Sequence, residues 1–239
     1  MTNERELLIE GCELLGIEIN NKEVDIFLEY MSILLEWNKK INITSITDKK
    51  DFIIKHFLDS LTCIKTFDFK GTEKIIDIGT GGGFPGVPLK IMMPEIKLTL
   101  LDSTQKKVKF LNELVKKLTI ENVISIHGRA EDYGNEKSYR EKYDIAVSRA
   151  VAPMNILLEY CLPFVKKGGI FIAQKSSEIE TELNEAKNSL KRLGGKIEQD
   201  IRLELPFSND GRSIIIIRKT NKTPNNYPRR AGIPQKKPL

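Results

Sequence analysis

Ile75–Pro88 reads IIDIGTGGGFPGVP, and five glycines and two prolines crowd in behind its short apolar run. Helices and strands both disfavour that composition. The stretch therefore reads as a strand ending in a turn that something must approach closely. At the carboxyl edge of a parallel sheet, a Gly-rich turn lets bare main chain meet a ligand. Gly79, Gly81, Gly82 and Gly83 can take φ > 0, where other residues lose roughly 1–2 kcal/mol each. A helix beginning near Pro85 or Gly86 then aims its N–H groups at the same place.

Working outward, apolar runs follow at Leu98–Leu101, Val123–Ile126, Ile145–Val147 and Ile170–Ala173, with helical patterns between them, as at Val108, Leu111, Leu114, Val115 and Leu118. Strands alternating with helices imply βαβ units and a parallel sheet buried on both faces. After a helix near Glu178–Leu193 the rhythm breaks. Lys196–Leu203 and Ser213–Ile217 flank the turn Ser208-Asn209-Asp210-Gly211 with no helix between them, which demands an antiparallel hairpin. Parallel strands closed by such a hairpin are the layout of an α/β, Rossmann-like class I S-adenosylmethionine-dependent methyltransferase sheet. Residues 1–70 read as a helical extension packed on that core, with Asn3–Glu6 and Asn21 as helix starts. Residues 71–219 read as the sheet domain, and 220–239 as a basic, Pro-rich tail.

Two ligands compete for the turn. Gly81-Gly-Gly83-Phe-Pro-Gly86 satisfies the dinucleotide fingerprint G-x-G-x-x-G. Asp77, however, would then sit beside a pyrophosphate, where like charge is unfavourable. An acid just ahead of the first glycine suits a cation, such as the ammonium of S-adenosylmethionine. It can equally cap the next helix. Asp102, ending LTLLDS, can accept both ribose hydroxyls of either cofactor. In HGRAED (His127–Asp132), Ala130 and Glu131 stand where methyltransferases hold adenine. The strand YDIAVSR ends in Arg149, which suits a methionine carboxylate, an RNA phosphate or a guanine O6 edge. No Asn/Asp-Pro-Pro-aromatic loop follows it, which argues against methylation of an exocyclic amine.

Composition narrows the classes further. Cys12, Cys63 and Cys161 are odd in number and unpaired in spacing, so neither a disulfide framework nor a metal site is expected. No signal peptide or membrane-spanning run is legible, and a cytoplasmic protein is expected. Net charge is +5, but Arg218–Leu239 holds seven basic residues and no acid. Arg229, Arg230, Lys236 and Lys237 are candidate nucleic-acid contacts there.

DIGTGGGFPG, the GRAE element and SRA resemble the glucose-inhibited division protein B family, as do WNKKINITSI (Trp37–Ile46), HFLDSL (His56–Leu61) and YPRRAGIPQKKPL (Tyr227–Leu239). The resemblance spans nearly the whole chain. It implies an enzyme that uses S-adenosylmethionine to methylate N7 of one guanine in 16S ribosomal RNA, on naked rRNA or a small-subunit particle. It implies Gly79, Phe84, Ala130, Glu131 and Arg149 as cofactor contacts, beside Asp77, Gly81 and Asp102. Arg149 would also position the target, with no general base. A monomer that binds no membrane is expected. An NAD-linked oxidoreductase and a non-catalytic RNA-binding module are the alternatives. The roles of His56 and Lys175 are left open.

Overall fold

The computed structural model describes residues 3–239. Its sheet contains β1 (Lys74–Ile78), β2 (Lys97–Asp102), β3 (Val123–His127), β4 (Tyr143–Arg149), β5 (Val165–Ser176), β6 (Gly195–Glu204) and β7 (Gly211–Lys219) in the order β3-β2-β1-β4-β5-β7-β6. The first five strands are parallel, whereas β7 is antiparallel to both β5 and β6. The hairpin thus forms as its missing helix requires, and inserts β7 beside β5. Because β7 runs backwards, its first residues reach the edge where the parallel strands end: Ser213 pairs with Lys175, and Arg212 with Ser176. Strand order reverses between β1 and β4, the place where such sheets open to ligands.

Helices α1 (Glu4–Leu15), α2 (Asn21–Asn38), α3 (Lys49–Phe52) and α4 (Asp59–Thr66) precede the sheet. Asn3 and Glu6 cap α1 reciprocally, satisfying two otherwise orphaned backbone donors. The second helix starts one residue earlier than Asn21 suggests, because Asn20 and Glu23 have the spacing that closes the box. The helical run from α3 to α4 is irregular. Ile53–Leu58, between α3 and α4, is a π-helical turn, a widening that often marks functional sites.

The remaining helices cover the strands: α5 (Gly86–Met92), α6 (Gln105–Lys117), α7 (Ala130–Tyr133), α8 (Met154–Cys161), α9 (Glu180–Glu185) and α10 (Lys187–Leu193), with a turn α11 (Ile233–Lys236) in the tail. The single helix read over Glu178–Leu193 is divided at Ala186. Alternation along each strand sends neighbours to opposite faces. Ile75, Leu100, Ile172 and Ile216 join Leu8, Phe27 and Phe57 of the N-terminal helices in one core, while Ile76, Phe171 and Ile215 pack with Leu157 and Leu193 in the other. The tail folds back on the body. Arg140 donates to the carbonyls of Thr223, Pro224 and Tyr227, and the fully buried Lys219 bonds Leu162 O and the Thr223 hydroxyl.

Candidate functional site

The glycine turn closes β1 and is braced from below. Asp77 is fully buried; its Oδ2 accepts from the Thr80 hydroxyl at 2.7 Å and from Gly86 N at 2.8 Å, so it does cap α5. Its Oδ1 has no partner among the described residues. Burial pushes this carboxyl up to about 7, against the opposing pull of Thr80, Gly86 N–H and Arg149. A buried acceptor without a donor is costly and calls for a ligand or a proton. Gly79 (φ 70°) and Gly81 (φ 59°) adopt the left-handed region, and a Cβ on Gly81 would touch only Gly79 O, at 3.9 Å. From the other side, Tyr30 of α2 donates to Gly82 O at 2.6 Å, tying the turn to the N-terminal helices.

Beside the turn lies a cavity of about 220 Å³, lined by Gly79, Ala130 and Glu131 with Ser103, Val151, Tyr160 and Gln235 among others. Three of the sequence-predicted residues therefore form its wall, and four brace it. Asp77 lies in β1 just ahead of the turn, and Gly81 in the turn itself. Asp102 accepts from Gly81 N (2.9 Å) through Oδ2 and from Thr104 N (2.7 Å) through Oδ1. Each oxygen keeps a lone pair for a ribose hydroxyl. Phe84, expected as a contact, is largely buried at the base of the turn. Its ring stacks on His56 at 4.5 Å and on Tyr30 at 5.4 Å, because a large ring there fills the gap between α2 and the π-helical turn. Val151 sits over Gly79: a Cβ there would fall 2.6 Å from Val151 Cγ2.

Arg149 points elsewhere. Residue Ala150 (φ 53°) breaks β4, and the Arg149 guanidinium enters a second cleft of about 450 Å³ across the strand-order reversal. There Nη1 bonds Asp59 Oδ2 at 3.1 Å and the Lys55 carbonyl at 3.0 Å, and Nη2 meets His56 Nδ1 at 3.0 Å. Asp59 Oδ1 also accepts from Arg212 Nε at 3.1 Å. Since Arg149 can only donate, His56 Nδ1 accepts and the ring proton sits on Nε2, facing Thr44 Oγ1 at 2.8 Å. Burial, with Arg149 beside it, holds the imidazole down to about 3. His56 is thus neutral and bonded through both ring nitrogens. Two arginines against one carboxylate leave the cluster with a net positive charge. Gln174 donates to Asp59 O and the Thr62 hydroxyl, and its buried Oε1 has no partner among the described residues.

Lys175, whose role the sequence left open, pairs with Glu182 at 2.7 Å and bonds Ala152 O, steadying the loop after β4. Asp59, Gln174 and Arg212 went unpredicted. The available signal was topological: the start of an antiparallel final strand must lie at the carboxyl edge, and a basic residue stands there. Of the tail cations, Arg229 is not free for RNA. It makes a bidentate pair with the fully buried Glu159, which needs a charged partner to stay buried. Arg230, Lys236 and Lys237 are exposed.

The sequence profile of the family described as rRNA small subunit methyltransferase G matches residues 23–204. The chain is 52% identical over 235 residues to the ribosomal RNA small subunit methyltransferase G of Alkaliphilus oremlandii, covering 98% of both chains. It is 50% identical over 234 residues to that of a Thermoanaerobacter strain, with the same coverage. Among solved structures, the YcgJ protein of Bacillus subtilis superposes with a TM-score of 0.53 at 15% identity, over 70% of this chain and all of that one. A precorrin-6y C5,15-methyltransferase of Geobacter metallireducens does so with a TM-score of 0.51 at 15% identity, over 67% of this chain and 88% of that one. These distant structures share the fold.

Proposed function

The chain belongs to the rRNA small subunit methyltransferase G family, and from that premise we propose that it methylates N7 of a single guanine in 16S rRNA, with S-adenosylmethionine as methyl donor. The observation that carries this reading is a pairing of sites on one sheet edge. A glycine turn stands over a carboxylate with an unpartnered oxygen, and a net positive cleft opens next to it across the strand-order reversal.

The residues present fit the donor. Asp77 Oδ1 would take its ammonium, Asp102 its ribose hydroxyls, and Ala130 N–H with Glu131 its adenine, against the bare main chain of Gly79 and Gly81. Bound there, S-adenosylmethionine supplies an electrophilic methyl group on a sulfonium. A dinucleotide would bring phosphates toward the Asp77 carboxylate, which disfavours the NAD-linked alternative.

Guanine N7 has an in-plane lone pair and no proton, so the protein need not remove one. That agrees with a site whose histidine is held neutral and fully hydrogen-bonded. What the chain supplies is alignment, where well-oriented groups reach effective molarities of about 10⁵–10⁸ M. Arg149 and Arg212 suit a guanine O6 edge or an adjoining phosphate, and Gln174 Oε1 suits an N–H donor. Because N7 lies on an edge that folded RNA hides, the target guanine belongs to a loop or is splayed out. Arg230, Lys236 and Lys237 add phosphate contacts. We place the protein in the cytoplasm as a monomer; among the described residues no helix is long and apolar enough to cross a membrane.

The test is methyl transfer from tritiated S-adenosylmethionine to small-subunit rRNA, naked and in particles, followed by nucleoside analysis. Label in 7-methylguanosine is expected. Label in another nucleoside, or none, would refute the assignment.

A further inference from the structure

The tail holds more than basic charge. Gly232 N donates to Glu131 Oε1 at 2.9 Å, and Gln235 lines the same cavity as Glu131, Ala130 and Gly79. Glu131 is nearly buried, and its Oε2 has no hydrogen bond among the described residues; nor does the Gln235 carboxamide. We propose that residues 231–235 form the outer wall of the adenine subsite, with Gly232 positioning Glu131 and Gln235 contacting the base. This rests on the cofactor reading above.

Three observations make the segment a fixed wall rather than a loose end. Arg229 bonds Glu159 through its main-chain N at 2.7 Å and through its guanidinium, just before the wall begins. Asn135 donates to Glu131 O at 2.9 Å and to Pro228 O at 3.0 Å, linking the tail to α7 directly. Gly232 has φ 81°, a conformation that glycine adopts without strain, and its N–H reaches the carboxylate in that conformation.

The chemistry follows from the donors and acceptors. With Oε1 held by a main-chain N–H, Glu131 keeps its Oε2 wholly unbonded, which suits an exocyclic amine. A base carrying a carbonyl there would set acceptor against carboxylate. The Gln235 carboxamide both donates and accepts, the pairing that reads adenine edges. Base selection by this protein is therefore partly a property of its last residues. Arg230, Lys236 and Lys237 are exposed on the same segment, so the proposed RNA contacts and the adenine wall belong to one strap.

The experiment titrates S-adenosylhomocysteine and S-inosylhomocysteine, which differ at the exocyclic group, into three full folds: the native chain, Gln235→Ala, and a chain ending after Arg230. The last keeps the Arg229–Glu159 anchor. Circular dichroism melting checks that each is folded, and Gln235→Ala, an exposed side chain, carries the test if the truncation is not. The native chain should prefer the adenosyl ligand by about tenfold or more, one or two hydrogen bonds' worth. Gln235→Ala should weaken adenosyl binding about threefold to tenfold. The truncation should weaken it further and bring the two ligands within about threefold of each other. Unchanged dissociation constants in the variants, or an equal loss for both ligands, would overturn the proposal. A native chain that binds neither nucleoside would instead overturn the cofactor reading beneath it.

Discussion

The cavity over β1 to β3 and the cleft over β4 to β7 stand on either side of one strand-order reversal, yet they are made differently. The cavity is framed by local main chain: Gly79, Gly128 and Ala130 line it beside side chains such as Val151 and Tyr160, and carboxylates hold the adjoining turn in place by accepting the N–H groups of Gly81 and Gly86. The cleft is made of side chains from distant segments: His56, Asp59, Arg149 and Arg212 bond one another, and Gln174 donates to the Asp59 carbonyl. A main-chain site tolerates changes in charge but not in backbone conformation. A side-chain network has the opposite sensitivity.

That contrast is sharpest at Asp59. Asp59→Ala would leave two largely buried arginines without their carboxylate, and breaking such a pair costs about 3–5 kcal/mol. A lowered denaturant midpoint of that size is expected, with Asp59→Asn milder because it keeps an acceptor. A loss below about 1 kcal/mol would mean the network is solvent-screened and the contrast false.

Asp77→Asn should be the converse case, keeping the fold while weakening the cofactor. Replacing a charged hydrogen bond to the ammonium by a neutral one should raise the dissociation constant about tenfold to a hundredfold. The pH dependence has a definite sign. The Asp77 carboxyl, raised to about 7 in the folded chain, contributes stability that is present below its ordinary 3.8 and lost as pH rises through 7. Asp77→Asn should remove that slope. His56 works oppositely: held at about 3, it loses stability as pH falls from 6.5 toward 3. Cofactor binding near pH 6 should release a proton from the native chain but not from Asp77→Asn, as calorimetry in buffers of different ionisation enthalpy would reveal.

The smallest effect joins the two regions. Tyr30→Phe strands the buried Gly82 carbonyl and should cost about 1–3 kcal/mol in thermal or denaturant unfolding, with cofactor affinity falling alongside. If stability fell and affinity did not, the turn would be held by its own glycines rather than by α2.

The difference in construction also explains what could be read from the chain. Glycine spacing, Asp77, Asp102 and the GRAE element are local patterns, and a main-chain site depends on local conformation. The hairpin was legible because two strand patterns lay without a helix between them. The cleft was not, since Asp59 and Arg212 meet across 153 residues and depend on where β7 inserts. The packing of Phe84 and the pairing of Arg229 were hidden for a related reason. A sequence pattern gives a residue's type but not whether its partner, the rings of Tyr30 and His56 or the carboxylate of Glu159, already occupies it. The π-helical turn left no local signal either, as its apolar residues also fit an ordinary helical stripe.

The proposed division, donor on one side and RNA on the other, matters most, and Arg212→Ala tests it directly. Its dissociation constant for S-adenosylmethionine is to be compared with its rate of rRNA methylation at saturating donor. Donor affinity within about twofold of the native chain, with methylation reduced about tenfold or more, is the expected result. Donor affinity lost to the same degree as methylation would contradict the division.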